Sequence, residues 1–235
     1  MPTGVMINVA AVVLGGLLGS AAGGKLPEEL KQTMTTVFGI CAMAMGIASV
    51  VLMQNMPAVV FAVIIGTLIG ILLNLNGLIR RGTGKVLKAL KLNIGGESEL
   101  MLTAIVLFCA SGTGIYGSLT SGMTGDHSIL IAKSVLDFFT AMIFACRLKK
   151  ATCLIGIPQA VIMLLLFFGA KLILPLTNEV MIADFKAAGG FVLLATGISI
   201  MGLRQIPVAD MIPAMILAMP VSALWANALL PLLAR

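Results

Sequence analysis

Long apolar runs, interrupted by short polar stretches, dominate this chain. A helix that crosses a membrane needs about 20 mainly apolar residues, and on that criterion the pattern predicts eight spans. A short amphipathic segment, Pro27–Thr36, precedes the second span, and a polar connector, Thr177–Lys186, precedes the seventh. The predicted spans are Thr3–Gly24, Val37–Met53, Ala58–Ile79, Leu100–Leu119, Ile129–Cys146, Ala151–Leu174, Ala188–Leu203 and Met211–Leu233.

Composition agrees with this pattern. Hydrophobic residues make up 60% of the chain and charged residues 10%, whereas a soluble domain carries about 25% charged residues. We therefore predict an all-α transmembrane helix bundle that forms a single domain over residues 1–235. The first apolar run lacks the basic segment that opens a signal peptide, so it is interpreted as a retained membrane helix.

The basic residues lie in short loops, and their positions predict a topology. If the loop Arg80–Lys91 is cytoplasmic, alternation places Lys25–Lys31, Arg147–Lys150 and Arg204 on the same side, as the positive-inside rule requires. Both termini are then expected on the non-cytoplasmic side of the inner (plasma) membrane. The net charge of +6 follows from this topology, and no nucleic-acid partner is expected because no basic stripe carries interleaved aromatic residues.

Two parts of the chain resemble each other. Gly39 and Gly46 lie in the segment GICAMAMGIA, and Gly190 and Gly197 lie in the segment GFVLLATGIS, at a constant offset of 151 positions. Each segment is followed by a proline and by a long apolar run. The alternative explanation is that helices rich in glycine and alanine look alike by composition alone.

This similarity predicts an internal repeat. Spans one to three form repeat one (1–80), spans six to eight form repeat two (151–235), and two central helices (100–146) separate them. Because the copies are five spans apart, an odd number, they are expected to be inverted in the membrane. Inverted repeats with a binding site at their interface are typical of secondary transporters.

Lys133 and Asp137 are the most informative charged residues. They lie four positions apart on the predicted fifth span, so they share one helical face. Each would cost several kcal/mol alone in a membrane, and as a pair they largely neutralise each other. The functional interpretation is a proton- or ion-coupled gate in which substrate competes for one partner. The alternatives are an ion pair that only docks the helix, and a Lys133 side chain that extends to the outer interface.

Small residues crowd the fourth predicted span and the turn that follows it. Glycine permits a helix to break, and a broken helix exposes backbone N–H and C=O groups as ligands. The alternative is close helix packing through small residues. The glycines are Gly112, Gly114, Gly117, Gly122 and Gly125, and the neighbouring hydroxyl residues are Ser111, Thr113, Ser118, Thr120 and Ser121.

Other polar residues lie at isolated positions. Asp126, in the outer turn, is a candidate site residue, and His127 beside it is either a solvated loop residue or a proton relay. Asn8 and Asn76 are expected to join helices through hydrogen bonds, whereas Gln159 is expected to line a path through the bundle.

The sequence carries no GxSxG, HExxH or P-loop motif, so neither an enzyme nor an ATP-driven pump is expected. The four cysteines form no CxxC pair and the chain has one histidine; accordingly no metal site and no cofactor are expected. The expected partners are membrane lipid and a small solute or ion. The spacings Gly15/Gly19 and Gly66/Gly70 fit a homodimer interface or internal packing.

The central stretch also resembles a known family through five short motifs. These are FC at Phe108–Cys109, GS at Gly117–Ser118, GxxGD at Gly122–Asp126, KSxLD at Lys133–Asp137 and FA at Phe144–Ala145. The chain is similar to the bacterial inner-membrane proteins of the YqgA/YdfK type, an uncharacterised family defined as a domain of unknown function. It departs from the family pattern at Ser111–Gly112, where Gly-Pro is usual, and at Phe138, where glycine is frequent. The resemblance implies an integral membrane protein with several spans, and it supplies no established substrate.

These observations predict a secondary transporter or ion-conducting membrane protein for a small solute or ion. Lys133 and Asp137 would couple or gate, and Gly112–Ser118 would supply backbone and hydroxyl ligands. The alternative is a membrane scaffold or sensor that binds a lipid or a protein partner and transports nothing.

Overall fold

The computed structural model describes residues 1–22, 27–78, 81, 98–109 and 111–230. Within these residues all regular secondary structure is helical, which confirms the all-α part of the predicted fold class. The predicted basic loop Arg80–Lys91 lies outside the described residues except for Arg81, and so does the predicted end of the last span at Leu233. The α-helices are α1 (Thr3–Ala22), α2 (Glu28–Val50), α3 (Met56–Leu72), α4 (Ser98–Cys109), α5 (Gly112–Thr124), α6 (Ser128–Leu148), α7 (Gly156–Ile173), α8 (Glu179–Ile200) and α9 (Ile212–Leu224).

Most of these helices are long and apolar. In the described part of the chain, five helical stretches have the length and hydropathy of a membrane span: Thr3–Ala22, Glu28–Val50, Ser128–Leu172, Glu179–Ile200 and Val208–Leu229. The third has 45 residues, which at about 1.5 Å per residue is roughly twice the ~30 Å of the hydrocarbon core. It divides into α6 and α7 at Lys149, whose φ is 52°, so its length fits two crossings.

Three predicted boundaries are wrong. The amphipathic segment Pro27–Thr36 and the second span are one continuous helix, α2. The polar connector Thr177–Lys186 is largely helical, because the Asn178 side chain accepts a hydrogen bond from the Met181 amide at 2.9 Å and so caps α8. The fourth span, predicted as one helix over Leu100–Leu119, is broken at Ser111 between α4 and α5.

The chain forms two compact units. Unit 1 comprises Met1–Phe38 and Gly77–Leu172, and unit 2 comprises Gly39–Asn76 and Ile173–Arg235. Helices α1 and α4 to α7 belong to unit 1, and α3, α8 and α9 belong to unit 2. Helix α2 begins in unit 1 and ends in unit 2.

Unit 1 is built around the packing of α1 against α6. The two helices run parallel, since Gly4 faces Leu130 early in both helices and Gly19 faces Met142 late in both. A Cβ atom on Gly19 would collide with the Met142 carbonyl oxygen, so the glycine allows close contact. Helix α7 runs antiparallel to α1, and apolar side chains of α4 complete the core.

Unit 2 contains a close crossing of two glycine-rich helices, α2 and α8. A Cβ on Gly39 would lie 2.7 Å from the Gly197 carbonyl oxygen, and one on Gly197 would lie 2.6 Å from that of Gly39. The same relation holds between Gly46 and Gly190, at 2.8 Å and 2.7 Å. These four glycines therefore bring the two backbones into direct contact, antiparallel to each other.

Helices α3 and α9 also pack antiparallel in unit 2. Gly66 lies against Ala214 and Gly70 lies against Asp210, at backbone distances that leave no room for a Cβ atom. Within unit 1, Gly15 and Gly19 contact the backbone of α6 in the same manner. All four glycines of the GxxxG-like spacings thus contact other helices of the same chain. The spacings therefore do not support a homodimer, which stays a prediction.

Candidate functional site

Helix α6 carries Lys133 and Asp137 one turn apart on its buried face. The Lys133 Nζ atom lies 2.5 Å from Asp137 Oδ2, and the residues are only 2% and 7% exposed. Pairing lowers the cost of burying either charge, because an isolated charge in an apolar interior costs several kcal/mol. The structure therefore places the pair inside unit 1, and Lys133 does not extend to an interface.

Two buried amides complete this arrangement. Asn8 of α1 donates from Nδ2 to Asp137 Oδ2 at 2.9 Å, and Gln159 of α7 donates from Nε2 to the same oxygen at 3.0 Å. The Gln159 Nε2 atom also donates to Asn8 Oδ1 at 2.7 Å. Both amides are fully buried. We call the four side chains that meet here the polar cluster: Asn8, Lys133, Asp137 and Gln159, from three helices.

The polar cluster contains an unused acceptor. Gln159 Oε1 is buried and has no hydrogen-bond partner among the described residues. The orientation of the amide is fixed by its neighbours, because the opposite orientation would set Oε1 against Asn8 Oδ1 and Asp137 Oδ2, which are both acceptors. Buried polar atoms normally have a partner, and this oxygen has none among the described residues.

The break between α4 and α5 lies next to Lys133. The Ser111 side chain caps α5 by accepting a hydrogen bond from the Gly114 amide at 3.2 Å. A Cβ on Gly114 would lie 3.1 Å from Lys133 Cε, and Lys133 Nζ is 5.9 Å from the centre of the Phe108 ring at the end of α4. The helix break and the ion pair are therefore neighbours within unit 1.

The other predicted site residues of α5 lie along this helix. Gly112 begins α5, and Gly117 packs against Leu130 of α6. Ser118 is fully buried, and its Oγ atom has no partner within the described residues. Ser118 is one helical turn beyond Gly114, so it shares the face of α5 that meets Lys133.

Asp126 lies apart from the polar cluster. It is exposed and accepts a hydrogen bond from the Ser128 amide at 2.9 Å, which caps the start of α6. Eleven residues of helical rise, about 16 Å, separate it from Asp137. His127 is 2.7 Å from Ser121 Oγ through Nδ1, which ties the turn to α5. Neither residue joins the cluster.

Two buried acids were not singled out from the sequence. In unit 2, Asp184 is fully buried and accepts hydrogen bonds from the Gln54 amide at 2.7 Å, the Asn55 amide at 3.0 Å and Ser222 Oγ at 2.6 Å, and also from the Asn55 side chain. This carboxylate sits at the N-terminus of α3, where negative charge is favoured. Asp210 accepts from the Asn76 amide at 2.7 Å.

The chemistry available at the polar cluster follows from its composition. It holds one positive and one negative charge, amide oxygens and nitrogens, and a neighbouring break in the backbone. Intramembrane charged residues and breaks in helices are features that transport proteins use to bind small polar or charged ligands. The fold and the site thus define a membrane protein whose described residues are helical and whose unit 1 contains a buried charged cluster.

The comparisons with known proteins agree. The chain belongs to a family described as "Protein of unknown function (DUF554)", whose model matches residues 3–223, and this confirms the resemblance drawn from the motifs. It is 48% identical to the "Uncharacterized protein YqgA" of Escherichia coli over 96% of this chain and 98% of that protein. It is 24% identical to the "Uncharacterized membrane protein YdfK" of Bacillus subtilis over 91% and 93%. No solved structure matches.

Proposed function

We propose that the protein is a secondary transporter or ion-conducting protein of the inner membrane that moves a small solute or ion. The observation that carries this proposal is the polar cluster, with its unused Gln159 oxygen, beside the break between α4 and α5. A purely structural ion pair needs neither the break nor the unused acceptor. Lys133 and Asp137 couple or gate, and the region Gly112–Ser118 supplies ligands.

The predicted inverted repeat, which we include in this proposal, is consistent with a transporter. At the offset of 151 positions, Gly39 is equivalent to Gly190, and Gly46 is equivalent to Gly197. Gly39 contacts Gly197, and Gly46 contacts Gly190. Side chains follow the same rule, since Gly39 meets Met201 while Gly190 meets Val50. Contacts that occur in such matched pairs are those of a two-fold relation between copies.

The pairing extends to the polar cluster. Asn8 and Gln159 are 151 positions apart and are hydrogen-bonded to each other, so equivalent residues of the two repeats meet at Asp137. The pairs α1/α7, α2/α8 and α3/α9 are each antiparallel, as inverted copies require. Secondary transporters bind their substrates between inverted repeats, which is where this cluster would lie. Both termini are then non-cytoplasmic.

A thermal-shift screen on detergent-purified protein identifies the ligand class. The screen compares two series of salts at equal ionic strength. The cation series contains chlorides of alkali metals, ammonium and small amines, and the anion series contains N-methyl-D-glucamine salts of small acids. A ligand at 100 times its Kd adds about 2.7 kcal/mol of stability by mass action. Asp137→Asn should abolish the shift. Lys171→Met, which removes an exposed lysine of α7 stacked on Phe167, is the matched control and should retain it.

Flux in proteoliposomes then tests the proposal. Wild-type protein and Lys171→Met should move the ligand found in the screen, and Asp137→Asn should fold but lose flux. If no solute or ion moves through the wild-type protein, while a lipid or a protein partner binds it, the protein is a scaffold or sensor and the proposed function is wrong.

A further inference from the structure

The polar cluster is electrically neutral before any ligand binds. Lys133 contributes one positive charge and Asp137 one negative charge, and the two are in direct contact. An additional unpaired charge inside an apolar protein is costly. A charged ligand can therefore bind at low cost only if the cluster releases a charge of the same sign or takes up one of the opposite sign, and this constrains both the ligand and the stoichiometry.

The oxygen atoms of the cluster suit a positively charged ligand. Both N–H groups of Gln159 are used, by Asn8 Oδ1 and Asp137 Oδ2, and the hydroxyl of Ser111 already satisfies the Gly114 amide. The buried side-chain atom of the cluster without a partner among the described residues is an acceptor, Gln159 Oε1. Carboxylate and amide oxygens are the ligands that hard monovalent and divalent cations prefer.

We infer that the polar cluster binds a monovalent inorganic cation in exchange for the proton of Lys133. The cation takes the place of the ammonium group at Asp137, with Gln159 Oε1 as a second ligand. Lys133 passes from –NH₃⁺ to –NH₂, and its proton leaves to water. One cation enters as one proton departs, so the charge of the cluster stays zero. This inference rests on the proposed transport function and assigns its substrate class.

The charge balance of the cluster depends on Lys133 and Asp137, because the helices around the pair place few other charged or titratable groups near it. Helix α1, which supplies Asn8, and helix α5, which supplies Gly114, contain no charged residue. Helix α4 contributes the Cys109 thiol near the pair, with Glu99 at its opposite end. On α7, Lys171 lies three turns beyond Gln159. On α6 the other titratable groups are Cys146 and Arg147, more than two turns beyond Asp137.

Exchange is measured in proteoliposomes that contain a pH indicator in the lumen. External LiCl, NaCl or KCl is compared with N-methyl-D-glucamine chloride at equal ionic strength. One of the small cations should make the lumen alkaline, because the cation enters while a proton leaves. For Li⁺ or Na⁺, a membrane potential of about 100 mV is set with potassium and valinomycin. This potential should leave the final ratio of internal to external cation concentration unchanged. A step that moved one net charge would shift that ratio about 50-fold.

Variants separate the roles of the two charges. Lys133→Met should still bind the cation but should move no proton, so that its uptake becomes sensitive to potential. Gln159→Leu should weaken the cation affinity about tenfold, the effect of losing one buried ligand. The cation ratio that the wild-type protein reaches, and its insensitivity to membrane potential, test the inference even if a variant fails to fold.

Other results would overturn the inference. Movement of sulfate or a small carboxylate together with a proton would show that Lys133 binds an anion while Asp137 takes up the proton; transport would hold, and the cation assignment would be wrong. A potential-dependent cation flux would refute proton exchange at Lys133. Absence of all flux would remove the proposed function as well.

Discussion

The ion pair on α6 gives a quantitative prediction for stability. Asp137→Asn keeps an oxygen that accepts hydrogen bonds from Asn8 and Gln159 but leaves the Lys133 ammonium without a counter-charge. Lys133→Met leaves the Asp137 carboxylate with two amide donors and no counter-charge. The double variant Lys133→Met/Asp137→Asn removes both charges and keeps the amide hydrogen bonds.

The expected magnitudes follow from burial. Two unit charges about 4 Å apart attract each other by about 4 kcal/mol at an effective dielectric constant near 20. Lys133 and Asp137 are closer than this and are almost fully buried. Breaking a buried pair by removing one partner costs about 3–5 kcal/mol, whereas replacing both partners is often neutral. We therefore expect the double variant to be at least about 3 kcal/mol more stable than either single variant.

The assay is a double-mutant cycle on purified protein, with unfolding in mixed micelles titrated with SDS and followed by helical content. Lys171→Met serves again as the control, since its exposed charge should change stability by less than about 1 kcal/mol. If the single losses simply add in the double variant, within about 0.5 kcal/mol, the two residues do not interact in the membrane protein, and the geometry of the polar cluster is wrong.

Three further predictions concern the rest of the chain. Gly190→Ala should lower the stability by about 1–3 kcal/mol, because its Cβ would overlap the Gly46 carbonyl oxygen. Gly169→Ala is the control: no atom lies within 4 Å of its Cβ, so it should raise the stability by up to about 1 kcal/mol. Equal Tm values for the two variants would contradict the α2/α8 crossing. Asp184→Asn should lower Tm by leaving donors at the start of α3 unsatisfied, at about 1–3 kcal/mol, and an unchanged Tm would refute that capping. A reporter fused after Arg235 should be active in the periplasm, and a cytoplasmic signal would exclude the eight-span inverted topology.

Part of this architecture could be predicted because local patterns determine it. Lys133 and Asp137 stand four positions apart in an apolar run, and that spacing alone brings their side chains together on a helix. A helix break was one of the two interpretations of the glycine-rich run, and the structure has a break at Ser111, although the fourth span was predicted as one helix. The long apolar runs likewise predicted the helical fold class.

Long-range partners were harder to predict. Asp184 lies within the predicted polar connector Thr177–Lys186, and its donors at Gln54 and Asn55 are 130 and 129 positions away, so no local signal indicated its burial. The pairing of Asn8 with Gln159 could have been found, because the repeat offset relates these two residues directly. Boundaries such as the start of α2 were wrong because hydropathy marks the apolar part of a helix, not its polar first turns.

The most direct test of the central claim is ligand flux through the charge-neutral double variant Lys133→Met/Asp137→Asn in proteoliposomes. This variant retains the amide hydrogen bonds and is expected to fold, so a loss of flux cannot be attributed to an unpaired buried charge. If the polar cluster is the transport site, the wild-type protein moves its ligand and the folded double variant does not. Undiminished flux through the double variant would contradict the account and leave Lys133 and Asp137 as a structural pair.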